Sequence, residues 1–160
     1  MRLVIKALTL AAAVVVLTSD VSEACTCRSR SVTEEQVRAA VEDADVVFRG
    51  EVLDVVEVRT PDLATPVGFF PARMTSFNVL EVWKGSDWVR STVFSGDGHS
   101  DCGFRFEPGK RYIVFASIRL IPVPGALNTS MCDFTALEAE SGELLKVLGS
   151  GRASRTGRIE

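Results

Sequence analysis

Four cysteines and a single histidine carry most of the chemistry open to this sequence. The cysteines are Cys25, Cys27, Cys102 and Cys132. In an exported chain they are expected to form two disulfides, and three pairings exist on paper. A Cys25–Cys27 bond would close a small strained ring. The other two pairings stay open, and each ties the residues around position 25 to distant points through loops of roughly 75 to 105 residues, about 4 kcal/mol apiece from chain entropy. His99 stands beside Ser100 and Asp101, but adjacent residues do not face one another as a nucleophile, base and orienter must. The sequence has no phosphate-cradling Gly-Lys-Ser/Thr segment and no second histidine for a zinc site. An enzyme is not expected, nor a cofactor of the chain's own.

The start of the chain gives the cysteines a second role. Arg2 and Lys6, the apolar stretch from Ala7 to Leu17, and the small residues Ser22 and Ala24 have the three-part layout of a secretory signal. Cleavage is predicted before Cys25. The apolar stretch is half the length needed to cross a bilayer, about twenty residues, so the expectation is a secreted protein, extracellular or periplasmic, with no membrane span. A lipoprotein signal would also place a cysteine first, but Ser22 and Glu23 fit that pattern poorly, and acylation of Cys25 would leave three thiols to pair. If the chain begins at Cys25 with both neighbouring cysteines bonded, the α-amino nitrogen and carbonyl oxygen of Cys25 can close a five-membered chelate ring on a metal. A catalytic zinc keeps one coordination position for water or substrate, and this pair would fill it. The amine, with an ordinary pKa of about 7.7 to 8, must release its proton to do so. Thr26 would then point into the pocket that receives the residue after a cleaved bond. The plainer reading is that Cys25 and Cys27 only staple the fold.

These residues need a scaffold, and the rest of the sequence supplies one domain. Of 160 residues, 136 remain after residue 24, and the net charge is −3 with or without the leader. Such a balance does not suit a nucleic-acid partner. Ser31 precedes Val32-Thr33-Glu34 with capping spacing, and Val37, Ala40, Val41 and Ala44 recur at helical intervals. A long β run follows from Asp45 to Val58, with Gly50 marking a bend. Arg59 to Ala72 holds Pro61, Pro66 and Pro71 around Gly68-Phe69-Phe70, and is predicted to leave the ladder as a long loop or hairpin tip. Further strands are predicted at Thr75 to Trp83, Trp88 to Phe94, Arg111 to Ile118 and Leu127 to Leu137, with Phe77, Val79 and Glu81 on one face of the second and Asn78, Leu80 and Val82 on the other. Leu144, Leu145 and Leu148 suggest a short closing helix. The predicted fold is all-β with short flanking helices: a five-stranded antiparallel closed barrel of the oligosaccharide/oligonucleotide-binding (OB) type, with a small sandwich as runner-up. The predicted organisation is a signal over 1–24, a domain over 25–148 and a polar, solvated tail over 149–160. Asn128-Thr129-Ser130 matches a glycosylation acceptor, read here as chance.

Cys25-Thr26-Cys27, then Asp45-Val46-Val47-Phe48-Arg49-Gly50-Glu51-Val52, Phe77-Asn78-Val79-Leu80-Glu81-Val82-Trp83-Lys84-Gly85, Cys102-Gly103-Phe104, Tyr112-Ile113-Val114-Phe115-Ala116 and Cys132 occur in an order that resembles the N-terminal, inhibitory domain of the tissue inhibitors of metalloproteinases over about residues 25 to 148. The resemblance implies an OB-type barrel, the disulfides Cys25–Cys102 and Cys27–Cys132, and a wedge inserted into a zinc metalloprotease. In that picture Cys25 chelates the partner's zinc through its backbone nitrogen and oxygen, and Thr26 fills the specificity pocket. Cys27 and Arg28 continue the wedge, Gly98, His99, Ser100 and Asp101 lie beside it, and the hairpin bearing Phe69 and Phe70 reaches across the protease surface. A third disulfide and a second, cysteine-rich domain found in animal members are absent, so this chain resembles the shorter relatives. A monomer is expected. The competing reading is a non-inhibitory exported binding module that holds a glycan, peptide or surface partner on its barrel face or through Phe69 and Phe70.

Overall fold

The computed structural model describes residues 25, 27, 32–61, 68–98 and 101–155. Residues 1–24, read from the sequence as a signal, and Thr26, Arg28, Ser31, His99 and Ser100 lie outside those residues. Helix α1 spans Glu34–Asp43 and is capped by Thr33, whose hydroxyl accepts from Gln36 N–H at 3.3 Å. The cap therefore falls two residues after the predicted Ser31. Glu34 and Glu35 fill the first turn, where the helix dipole favours acids. At the other end Lys84 Nζ donates to the carbonyls of Val41 and Glu42 at 2.9 and 2.7 Å, satisfying acceptors that a helix end leaves open. Helix α2, Gly142–Leu148, is the predicted closing helix. Val37 and Ala44 meet Val47, Ile113, Phe115 and Leu144 in a cluster between the helices and the sheet.

The strands are β1 (Val46–Pro61), β2 (Phe69–Lys84), β3 (Arg90–Gly96), β4 (Arg111–Arg119), β5 (Ala126–Asn128), β6 (Ala136–Leu137) and β7 (Arg152–Ala153). They form one connected sheet, not two facing ones. β1 pairs with β2 and with β4, β2 with β3, β3 with β5 and β5 with β4, so the pairings return to their starting strand. All are antiparallel except β3 with β5, which meet at Phe94 and Asn128. Inside, Phe48, Phe77, Phe106 and Tyr112 pack edge to face, with successive ring centroids 5.3, 5.0 and 5.0 Å apart. Phe106 lies on the link between β3 and β4, outside any strand. Burial raises the Tyr112 phenol above its ordinary pKa, and its oxygen accepts from Glu107 N–H at 3.2 Å.

Four sequence expectations change. Arg59 and Pro71, assigned to a loop, face each other in the ladder, as do Pro61 and Phe69. Pro71 is tolerated because β3 ends at Gly96, opposite Ala72, leaving no partner for an N–H at 71 on that side. Val82 is buried with Phe77 and Val79, not turned away with Asn78, because the register jumps from Gly50↔Val79 to Arg49↔Glu81 and the extra residue Leu80 reverses the alternation. The fifth strand is two short ones, β5 and β6, each paired with β4. Residues Gly149 to Ala153, read as part of a solvated tail, are bound to β2: Trp83 Nε1 donates to Gly149 O at 2.9 Å, Gly151 N–H to Glu81 Oε1 at 2.7 Å, and β7 pairs with Glu81 and Val82. Among the described residues no helix is long and apolar enough to cross a membrane.

Candidate functional site: the cysteine-tied platform

The disulfides join Cys25 to Cys102 and Cys27 to Cys132, which is one of the two pairings left open by the residues alone and the one implied by the resemblance. Their far ends sit on two loops that hold each other. Met131 N–H donates to Cys102 O at 2.8 Å, and Gly103 and Ser130 form an isolated antiparallel bridge. The alternate residues 25 and 27 are thus bonded to a single two-loop platform.

Each loop is ordered by one carboxylate. In the first, Asp101 Oδ1 accepts from the N–H groups of Gly98 and Gly103, both at 3.0 Å, and Oδ2 from Asp97 N–H at 2.9 Å. Three donors occupy this carboxylate, so its task is to shape the turn. Cys102 follows in the left-handed region, φ 56°, a conformation that costs an L-residue roughly 1–2 kcal/mol. Gly96 and Gly103 are required for a different reason. A Cβ on Gly103 would overlap the backbone of Gly96, and one on Gly96 would overlap the Asp101 carboxylate. In the second loop, Asp133 Oδ2 accepts from Ser130 N–H and Oγ at 2.7 and 2.9 Å, while Arg119 binds both Asp133 oxygens at 2.6 and 3.1 Å. Among the described residues no group of three His, Cys, Asp or Glu side chains could hold a metal ion.

Phe69 and Phe70 open β2, with 65% and 39% of their surfaces exposed. Phe70 and Pro61 line a cavity of about 600 Å³ together with Asp101 and Gly103 of the platform and Ile121 and Pro122 of the β4–β5 loop. The structure therefore brings Phe70 and Asp101 to one depression, and Gly98 N–H is bound to Asp101. Sequence reasoning did not single out the β4–β5 loop, although Leu120 and Ile121 are both exposed. The signal available was an apolar pair followed by prolines, which reads equally well as a buried turn. What fixes that loop is Asn128, 1% exposed. Its Oδ1 accepts from Val123 N–H at 3.1 Å, and its Nδ2 donates to Val123 O and Ala126 O at 2.9 and 2.7 Å. An amide nitrogen so enclosed has no room for a glycan, so Asn128-Thr129-Ser130 is structural in this fold. No family model matches the sequence, and no curated protein matches it.

Proposed function

We propose that this protein is an exported inhibitor of zinc metalloproteases, carried on a closed OB-type barrel over residues 25–148. The circuit of pairings β1-β2-β3-β5-β4-β1 supports the barrel. One observation carries the inhibitory reading: residues 25 and 27 are each bonded to loops that are hydrogen-bonded to one another. With the signal removed before Cys25, the α-amino nitrogen and carbonyl oxygen of that residue become a rigid bidentate ligand for a zinc ion held by another protein. The nitrogen takes the position that zinc reserves for water, and the carbonyl oxygen supplies a fifth ligand. Little chain entropy is lost on docking, because the crosslinks have already restricted the ligand. Thr26 enters the adjoining specificity pocket. Cys27, Arg28 and the Gly98–Asp101 loop flank it, with Phe69 and Phe70 farther out.

The test is titration of a metalloprotease panel with protein starting at Cys25 and with a form carrying one additional residue before it. The extension converts the chelating amine to an amide, so inhibition is expected to weaken at least about a hundredfold. Equal inhibition by the two forms would reject zinc chelation. The exposed Phe69 and the Phe70-lined cavity favour a second reading, a non-inhibitory module holding a glycan, peptide or surface partner. That module tolerates the extension and loses its partner on Phe70→Ala.

A further inference from the structure

The distal part of β1 has a neighbour on one side only. Up to Glu51 the strand lies between β2 and β4. Val52 closes the β4 side, accepting from Gly109 N–H at 2.8 Å and donating to Lys110 O at 2.9 Å. From Asp54 to Pro61 it pairs with β2 alone among the described residues. The register passes from Val52↔Phe77 to Asp54↔Ser76, so Leu53 is an extra residue. Such a bulge reverses which backbone groups face which neighbour. Before it the even positions face β4; after it they face β2, and Val55, Glu57 and Arg59 turn their N–H and C=O groups to the open side. Two details agree with this assignment. Val55 N–H is bound by the adjacent Asp54 carboxylate at 2.9 Å, not by a strand. Pro71, which has no N–H, stands opposite Arg59, where none is needed.

We propose that this edge pairs antiparallel with the same edge of a second copy of the chain, in the register that sets Glu57 against Arg59 of the second copy and places Val58 on the two-fold axis. A two-fold contact uses one patch twice, so the edge must complement itself. Charge selects the register. Centring on Glu57 puts glutamates face to face, and centring on Arg59 does the same with arginines, both unfavourable. The register between them makes opposite-charge pairs at both sites. Arg59 is exposed and has no ion-pair partner among the described residues. The Glu57 side chain is 83% exposed although it reaches Arg73 at 3.3 Å. The Asp54 cap at Val55 and the missing N–H of Pro61 bound the ladder, so Glu57 and Arg59 exchange their backbone groups and longer pairing is blocked. A ladder this short gives a concentration-dependent pair, not an obligate dimer, and it is independent of the metalloprotease reading.

Analytical ultracentrifugation of the disulfide-bonded chain, from about 10 μM to about 1 mM, tests this. The weight-average mass is expected to rise from one copy toward two. E57R and R59E alone each raise the dissociation constant at least about tenfold by placing like charges in the ladder. The double variant E57R/R59E restores pairing to within about threefold, and an equimolar mixture of E57R with R59E pairs although neither does alone. Recovery in the mixture also shows that both single variants are folded. V58C should crosslink two copies through the introduced thiols, read by peptide mass. A wild-type chain that stays monomeric throughout overturns the proposal, as does a dimer indifferent to E57R or a double variant that fails to recover.

Discussion

Around Phe77 the neighbours are side chains of Phe48, Val79, Val93 and Phe106, all buried and apolar. Around Cys102 they are backbone amides, the Asp101 carboxylate and a crosslink. The first region is stabilised by removing apolar surface from water, an effect spread over many weak contacts. The second has little apolar surface to remove. Its order comes from restricting the unfolded chain with bonds spanning 77 and 105 residues, and from three amide donors converging on Asp101. The contrast separates a part that folds the molecule from a part that ties residues 25 and 27 to two distant loops.

The sharpest break should come from Phe77→Ala, which removes the ring at the centre of the aromatic cluster and is expected to cost about 3–5 kcal/mol of unfolding free energy. Urea denaturation measures it, and a loss below about 1 kcal/mol would mean that the crosslinks, not the interior, hold the sheet together. Next comes C27S/C132S, which removes one crosslink and no core contact. Its expected cost is about 2–5 kcal/mol, and amide exchange at Gly103 and Met131 should accelerate beyond what global unfolding explains. Exchange that follows only the global value would erase the distinction between the regions. The smallest effect is that of Asp101→Ala, about 1–3 kcal/mol, because its three donors can partly turn to water. Its signature is faster exchange at Asp97, Gly98 and Gly103 with the aromatic near-ultraviolet spectrum unchanged.

The same division governs what could be read from the sequence. The helical repeat of Val37, Ala40, Val41 and Ala44, the run Tyr112 to Ala116 and the turn at Pro108-Gly109 are local signals, and each lies where the pattern puts it. Features that depend on a partner strand were not legible. Val82 changes face because Leu80 is unpaired against β1, and Pro71 is harmless because β3 stops at Gly96. Neither fact is written within a few residues of the position it decides. The segment Leu127 to Leu137 begins and ends on residues that pair with β4, but the second disulfide and Asp133 fold its middle into a loop. At the platform the cysteines were recognisable by type. In the sequence Asp101 stands out only as a near neighbour of His99, while its action as an organiser of three amides emerges only from the turn it makes. Asn128 reads in the sequence as part of an acceptor triplet, and its packing gives it another meaning.

That packing has a consequence for how the chain can be made. Oligosaccharide transfer acts on nascent, unfolded polypeptide, and a sugar on the Asn128 side-chain nitrogen would stand where the carbonyls of Val123 and Ala126 must be. A modified molecule could not seat β5 between its neighbours. If the chain passes through a compartment that glycosylates Asn-X-Ser/Thr sites, maturation becomes a race between the transferase and closure of the sheet, and every molecule that loses the race is a conformational dead end.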